Sequence, residues 1–496
     1  MGYKHSVSTL ARTGGYLLFG SLIVRLMTLG IYPLMDTTEA RYGEMARIMY
    51  ETGNWITPMF DYNVPFWGKP PLFAWLSAMG FEVLGVNEFA ARVPHLMVGV
   101  LILYLVWYAA KRTLGESMAW LATGVLATTT AFIVIVGAVM TDTALTLAVS
   151  LSMVSFWLNW QNKSSWHGYL FFTGLAIGML AKGPLALVLV GISLTMWLLP
   201  DHRWKRIPNL LPWKGGIILF LSLTLPWYLI AEWKTPGFLN YFIVGEHIMR
   251  FVVSGWEGDL YGTAHNEVRG TIWLFWLLAA FPWAPVLLYQ VCRKSNPATL
   301  NTIIPDGYIG YLWCWMLAPM LLFTFAGNIL PSYVLPGLPA LALLVCAYQK
   351  QKPLATCVYR LGEITPIMIA IIAILLAFNL VGKEAEKGLL ATWKNDPSNV
   401  ASDLVYINQR PFSAQFYSQG KAEQKNLPLE AILNEQQRSS YYVIEKNKVP
   451  EGFIWDKQRC DLISENQKRQ LVHCNPPSSY VQAVSRSRSE AEQEEL

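Results

Sequence analysis

Eight residues stand where an otherwise apolar chain has little reason to keep them: Asp36, Arg41, Lys69, Asp142, Lys182, His265, Arg269 and Tyr333. Asp36 opens the stretch MDTTEARYGEMARIMYETGNW, where Asp36 or Thr37 can cap a helix that carries Arg41. Glu44 and Arg47 further along read as that helix's solvated face. Lys69, in FWGKPPLFAWL, precedes a proline pair at a helix start. A cation there opposes the helix dipole, so an anionic partner would account for it, with a snorkelling lysine as the plainer reading. Asp142 in TDTAL could simply cap a new helix, whereas Lys182 in AKGPLAL sits between two apolar stretches. His265 and Arg269 belong to HNEVRG, and Tyr333 to the proline-broken NILPSYVLP. Tyr333 reads either as interfacial belt or as part of a cavity wall, where broken spans are tolerated. Four bases beside few carboxylates suit a lipid phosphate or pyrophosphate, with Asp36 and Asp142 available for acid–base work or positioning.

The elements that must hold these groups are membrane spans. Hydrophobic residues make up 53% of the 496, charged residues only 14%, and aromatics 13% with 21 Trp. A soluble chain carries about 25% charged residues. The net charge of +5 is spread without a dense basic run, which argues against a nucleic-acid partner. Apolar windows open near residues 14, 92, 118, 143, 167, 184, 213, 271, 307, 329 and 364. A span needs roughly 20 apolar residues, so about eleven spans are expected. The first, from about Gly14 to Pro33, lacks a small-residue cleavage site and reads as an uncleaved anchor. Residues 72–84 are too short and amphipathic for a span and suit a helix lying in the interface.

Lys and Arg fall on every second connection: Lys4 and Arg12; Lys111 and Arg112; Lys163; Arg203 to Lys214; Arg293 and Lys294; Lys350 to Arg360. That alternation predicts a cytoplasmic N-terminus and, with an odd count, an extracytoplasmic chain after about Lys383. All eight candidate residues then share the outer face. The expected organisation is a membrane region at 1–382, with outer loops 34–91 and 234–270, an outer α/β domain at 383–480, and a disordered tail at 481–496. DLVYI (403–407) and YYVI (441–444) read as strands of that domain. Cys292, Cys314, Cys346 and Cys357 read as packing residues; Cys460 and Cys474 share the tail, where an oxidising compartment would allow them to pair.

Together MDTTEARYGEMA, WGKPPL, TDTAL, AKGPLAL and LPSYVLP resemble the GT-C superfamily of polyprenyl-phosphate-dependent glycosyltransferases, near the lipid A aminoarabinose transferases and protein O-mannosyltransferases. The resemblance runs from about residue 10 to 350, and the tail looks like the aminoarabinose transferases' periplasmic domain. It implies an α-helical polytopic bundle of about 11–13 transmembrane helices with a small C-terminal α/β domain, in a bacterial inner membrane. It implies an enzyme that moves a sugar from a polyprenyl (undecaprenyl) phosphate carrier to a lipid or glycan acceptor such as lipid A, at the periplasmic face. Asp36 and Asp142 match the acidic catalytic or positioning residues. Arg41, Lys69 and Arg269 match the groups that hold the carrier phosphate, and Tyr333 an active-site tyrosine. Lys182 and His265 join the substrate-binding set by position on the same face. Aminoarabinose transferases commonly carry Glu directly before the lysine, where this chain has Gly68. That departure bears on the sugar and on a divalent metal held by that Glu, so no cofactor is assigned and a metal stays open. A protein O-glycosyltransferase is the alternative within the superfamily, and a transporter or flippase of lipid-linked substrates the alternative outside it.

Overall fold

In the computed structural model the described residues are 2–162, 164–253, 256–262, 267–293, 304–378, 386–398, 402–434, 438–449 and 458–476, with Leu380, Gln436 and Trp455. Lys163, His265, Lys294 and the 481–496 tail lie outside them. The chain divides into two compact units, Met1–Tyr32 with Met45–Ile374, and Pro33–Glu44 with Leu375–Leu496.

The first unit is helical, and each of the apolar windows holds helix: Gly2–Thr28, Glu88–Thr113, Glu116–Ala127, Thr141–Asn162, Ser165–Lys182, Leu185–Leu198, Trp213–Lys234, Thr271–Ala279, Tyr308–Phe323, Leu338–Gln351 and Ile364–Ala377. Five stretches among the described residues are long and apolar enough to cross a bilayer; the Thr271–Ala279 and Trp283–Cys292 pair, bent by 103°, adds a sixth if counted as one span. The other windows hold helices that are shorter or carry charges, as Gly2–Thr28 does with Lys4, Arg12 and Arg25. Residues 72–84 form a separate helix, Leu72–Leu84, of 13 residues.

In lipid there is little hydrophobic drive between helices, so small residues and aromatic interdigitation hold them together. A Cβ on Gly174 would lie 2.4 Å from Ser152 Oγ, and one on Gly178 2.3 Å from the Ala186 Cβ. Gly174 lets Ser165–Lys182 press against Thr141–Asn162, the most enclosed of the five spans at 89% buried, and Gly178 lets it approach Leu185–Leu198. Trp157 packs on Tyr308 and Tyr311 with ring centroids 4.7 and 5.1 Å apart, and Trp197 closes the cluster on Tyr311 at 5.2 Å. Arg92, fully buried, donates to the carbonyls of Leu29 and Tyr32 and thereby ties off the end of the first helix. Of the four other cysteines, Cys346 is buried and Cys314 half-buried; Cys292 and Cys357, at helix ends, are exposed instead of packed.

The second unit contains a five-stranded sheet in the order Ala422–Lys425, Asp403–Ile407, Ser440–Glu445, Arg469–Cys474, Cys460–Glu465. The first three strands are parallel and the last two pairings antiparallel. Alternation along the strands sends Leu404, Tyr406, Tyr441 and Val443 to one face against Leu389, Leu390 and Trp393. Val405, Ile407, Tyr442 and Ile444 face the other way, onto Leu429, Ile432 and Leu433. Burial on both faces is why DLVYI and YYVI read as near-continuous apolar runs.

Cys460 and Cys474 are opposite one another in the last strand pair and are joined by a disulfide. The bridge closes a sequence separation of 14. In the loop-entropy picture a closure of that length stabilises by about 3 kcal/mol. Cys460→Ser is therefore expected to speed amide hydrogen exchange in the Arg469–Cys474 and Ser440–Glu445 strands of the full chain. Unchanged protection there would show that the bridge adds nothing to the sheet.

Candidate active site

Helix ends place the first pair. Thr141–Asn162 starts where the preceding chain breaks off at Met140, putting Asp142 in its first turn. Ser165–Lys182 stops at Gly183, whose φ of 72° suits glycine and ends the helix with Lys182 as its last residue. Lys182 Nζ donates to Asp142 Oδ1 at 2.8 Å, with both side chains under 8% exposed. The 3-10 turn Pro331–Gly337, kept from α-helix by its prolines, brings the Tyr333 ring to 4.6 Å from Lys182 Nζ. Asp142, Lys182 and Tyr333 thus meet in one cluster.

The second group centres on Lys69. Its Nζ donates to the Gly68 carbonyl at 2.6 Å and to Glu246 Oε2 at 2.7 Å. Glu246 lies in the π-helical stretch Tyr241–Met249 and is 4% exposed. Arg250 Nη1 donates to both Glu246 oxygens at 3.0 and 3.1 Å, while its Nη2 lies 3.5 Å from Asp259 Oδ2. Burial works to raise the Glu246 carboxyl, but the Lys69 and Arg250 cations outweigh it and hold the group below the usual carboxylate range. Tyr261 fixes the Lys69 loop, accepting from the Trp67 amide at 3.1 Å and donating to the Pro65 carbonyl at 2.9 Å.

His247 connects the groups. Its Nε2 is 3.2 Å from the Lys182 carbonyl and its Nδ1 2.7 Å from that of Phe242. Lys182 lies within electrostatic reach of Lys69, and Tyr333 of Arg250. Three cations (Lys69, Lys182, Arg250) therefore meet three carboxylates (Asp142, Glu246, Asp259), so the basic excess expected from the sequence is absent from this cluster.

Glu246, Arg250 and Asp259 were not among the candidates. The i,i+4 spacing of Glu246 and Arg250 in GEHIMRF was the available signal. Arg269 is exposed on the turn before Thr271–Ala279, and none of the described contacts ties it to the cluster. His265 lies outside the described residues. Asp36 and Arg41 fall in the second unit. Asp36 accepts from the Ser413 amide at 3.1 Å and from the Ser413 hydroxyl. Burial pushes its carboxyl up to about 6 against the pull of those bonds. It lines a cavity of about 520 Å³ with Lys446, Lys468 and Arg469. Arg41, half-buried, has its guanidinium 5.3 Å from the Tyr42 ring, whereas Glu44 and Arg47, expected on a solvated face, are buried.

A divalent metal fits this cluster poorly. Among the described residues no three His, Cys, Asp or Glu side chains group as ligands. Glu246 is engaged by Lys69 and Arg250, and both His247 nitrogens face backbone carbonyls. At position 68, Gly offers no donor.

The helical bundle with its small α/β unit is the fold of a crystal structure of ArnT from Cupriavidus metallidurans bound to undecaprenyl phosphate, with a TM-score of 0.73 over 92% of this chain and 97% of that one at 16% identity. Residues 16–242 match the family described as dolichyl-phosphate-mannose-protein mannosyltransferase. The chain is 31% identical over 341 residues to the undecaprenyl phosphate-alpha-4-amino-4-deoxy-L-arabinose arabinosyl transferase of Enterobacter sp. (strain 638), covering 68% of this chain and 59% of that relative's length. It is 25% identical over 502 residues to the enzyme of the same name from Yersinia pestis (strain Pestoides F), covering 91% and 85%. The chain is thus related to the GT-C polyprenyl-phosphate-dependent glycosyltransferases, as its motifs implied. It is a multi-pass protein of a bacterial inner membrane.

Proposed function

We propose that the protein is a membrane glycosyltransferase that moves a sugar from an undecaprenyl phosphate carrier to an envelope acceptor such as lipid A. The observation that carries this reading is the half-buried cluster in which Lys69 and Arg250 already grip a carboxylate, beside Lys182 and Tyr333. Donors arranged for an anion in a site partly shielded from water stabilise the charge that grows on a phosphate leaving group. The site faces the periplasm in this reading, with a cytoplasmic N-terminus and the C-terminal unit outside. The alternating Lys and Arg and the Cys460–Cys474 disulfide support that orientation. Asp142, held by Lys182, is a positioning carboxylate. Asp36 and Arg41 carry their proposed roles, acceptor activation and phosphate binding, from the resemblance alone. The match to the protein mannosyltransferase family favours a second reading in which a protein hydroxyl is the acceptor. Mass spectrometry of lipid A, envelope glycans and proteins from cells with and without the gene decides between them. A sugar lost from lipid A supports the first reading, and one lost only from proteins the second.

The carboxyl of Asp36 predicts a pH limb. Its folded value of about 6 lies above the ordinary 3.8, so it loses its proton later than an unburied aspartate. If the ionised form activates the acceptor, the rate rises as pH passes upward through about 6 and falls below it. Asp36→Asn should abolish that limb. With a hydroxyl acceptor it should also cost about 10²–10⁴ in rate, and less with an anionic phosphate acceptor. An unchanged profile in Asp36→Asn would remove Asp36 from the mechanism.

A further inference from the structure

Glu246 occupies the position that an anionic ligand would need. Its two oxygens take the Lys69 ammonium at 2.7 Å and the Arg250 guanidinium at 3.0 and 3.1 Å. A phosphate oxygen pair would use the same donors in the same way, because a planar guanidinium and an ammonium recognise carboxylate and phosphate alike. Without Glu246, Lys69 would lose its carboxylate and Arg250 would keep only Asp259, at 3.5 Å, so the two cations would repel. The loop around them is built to the size of this carboxylate. A Cβ on Gly68 would lie 2.8 Å from the Phe66 ring and 3.4 Å from Glu246 Oε1, so a side chain at position 68 would crowd the ring and lie in contact with the carboxylate. The stretch bearing Glu246, Tyr241–Met249, bonds in the i→i+5 pattern, which is rare and recurs at functional sites.

The chemistry of glycosyl transfer gives such an arrangement a purpose. A sugar donor linked through one phosphate is a phosphodiester with a single negative charge. The lipid phosphate left behind is a monoester that carries about −1.5 to −2 near neutral pH. The same two cations therefore hold the product more tightly than the substrate, and a site without a competitor would be clogged by its own leaving group. Product release limits many enzymes for this kind of reason.

We infer that Glu246 is an internal carboxylate occupying the carrier-phosphate site, displaced when the lipid phosphate enters and returning to expel it. This rests on the functional reading above and adds that the site is self-competing. The shared ligand chemistry is a terminal phosphate group of nearly two negative charges, on a lipid or free in solution.

The test titrates undecaprenyl phosphate and, in a parallel arm, inorganic phosphate into the full chain in detergent micelles. Binding and thermal unfolding are followed for wild type, Glu246→Gln and Lys69→Met. Glu246→Gln keeps the shape and removes the charge. It should bind undecaprenyl phosphate about tenfold or more tightly than wild type, a change of about one decade in Kd. Without ligand it should unfold at a lower temperature, and the lipid phosphate should restore the lost degrees, since it replaces the missing anion. A destabilised Glu246→Gln that the lipid phosphate rescues thus supports the inference even where the unliganded variant folds poorly. Equal or weaker binding, or no rescue, overturns it and leaves Glu246 as a fixed structural clamp. Failure of the functional reading looks different: wild type would not bind undecaprenyl phosphate, or would bind it regardless of Lys69→Met. Tightening for inorganic phosphate alone would uphold displacement of Glu246 and overturn the lipid carrier as its ligand.

Discussion

Replacing Lys69 by methionine is expected to lower the transfer rate by about 10²–10³, the cost of removing one preorganised donor from a developing anion. Methionine keeps most of the aliphatic length, so the loss reports the ammonium and not a void. Lys69 is held by its neighbour's carbonyl and by Glu246, at 2.6 and 2.7 Å. Arginine is no substitute there. Its planar fork cannot replace a point charge set between a backbone oxygen and a carboxylate without moving the Trp67 and Gly68 backbone. Lys69→Arg should therefore recover only part of the activity. Initial rates on an undecaprenyl phosphate-linked sugar at saturating donor check this, and wild-type rates in Lys69→Met would show that the cluster does not touch the reacting phosphate.

The second large effect is on stability. Asp142→Asn leaves the Lys182 ammonium enclosed without its counter-ion, and breaking a buried pair in this way costs about 3–5 kcal/mol. The pair lies between the closely packed Thr141–Asn162 and Ser165–Lys182 helices, where water can reach neither group well. Asp142→Asn should lower the midpoint of thermal unfolding markedly, and Lys182→Met should do the same by stranding the carboxylate. The double change Asp142→Leu with Lys182→Met removes both charges and should recover much of the lost stability while remaining inactive. Additive losses in the double variant would contradict a pairwise ion contact.

The helices were legible because lipid imposes a single rule on composition, and every apolar window proved helical. Asp142, Lys182 and Tyr333 were legible for a related reason: charge or broken backbone at the end of an apolar run has few structural uses. Glu246 and Arg250 were not. They sit in a loop-like stretch between spans, where charged residues need no explanation, and their meaning depends on Lys69, 177 residues away in the sequence from Glu246. The grouping of Pro33–Glu44 with the C-terminal unit was equally hidden, since Asp36 meets Ser413 across 377 residues. Gly68 first looked like the loss of a functional glutamate. The space beside it is taken by Phe66 and by the carboxylate of Glu246, so this chain brings an acid to Lys69 from another segment.

The central claim is that Lys69 and Arg250 hold the phosphate of the carrier lipid. The direct measurement is equilibrium binding of undecaprenyl phosphate to the purified full-length protein and to its Lys69→Met and Arg250→Gln variants. Wild type is expected to bind saturably and each variant to lose at least about tenfold, since charge-assisted contacts are worth about 1.5–3 kcal/mol apiece. Binding that is the same in all three proteins would contradict it.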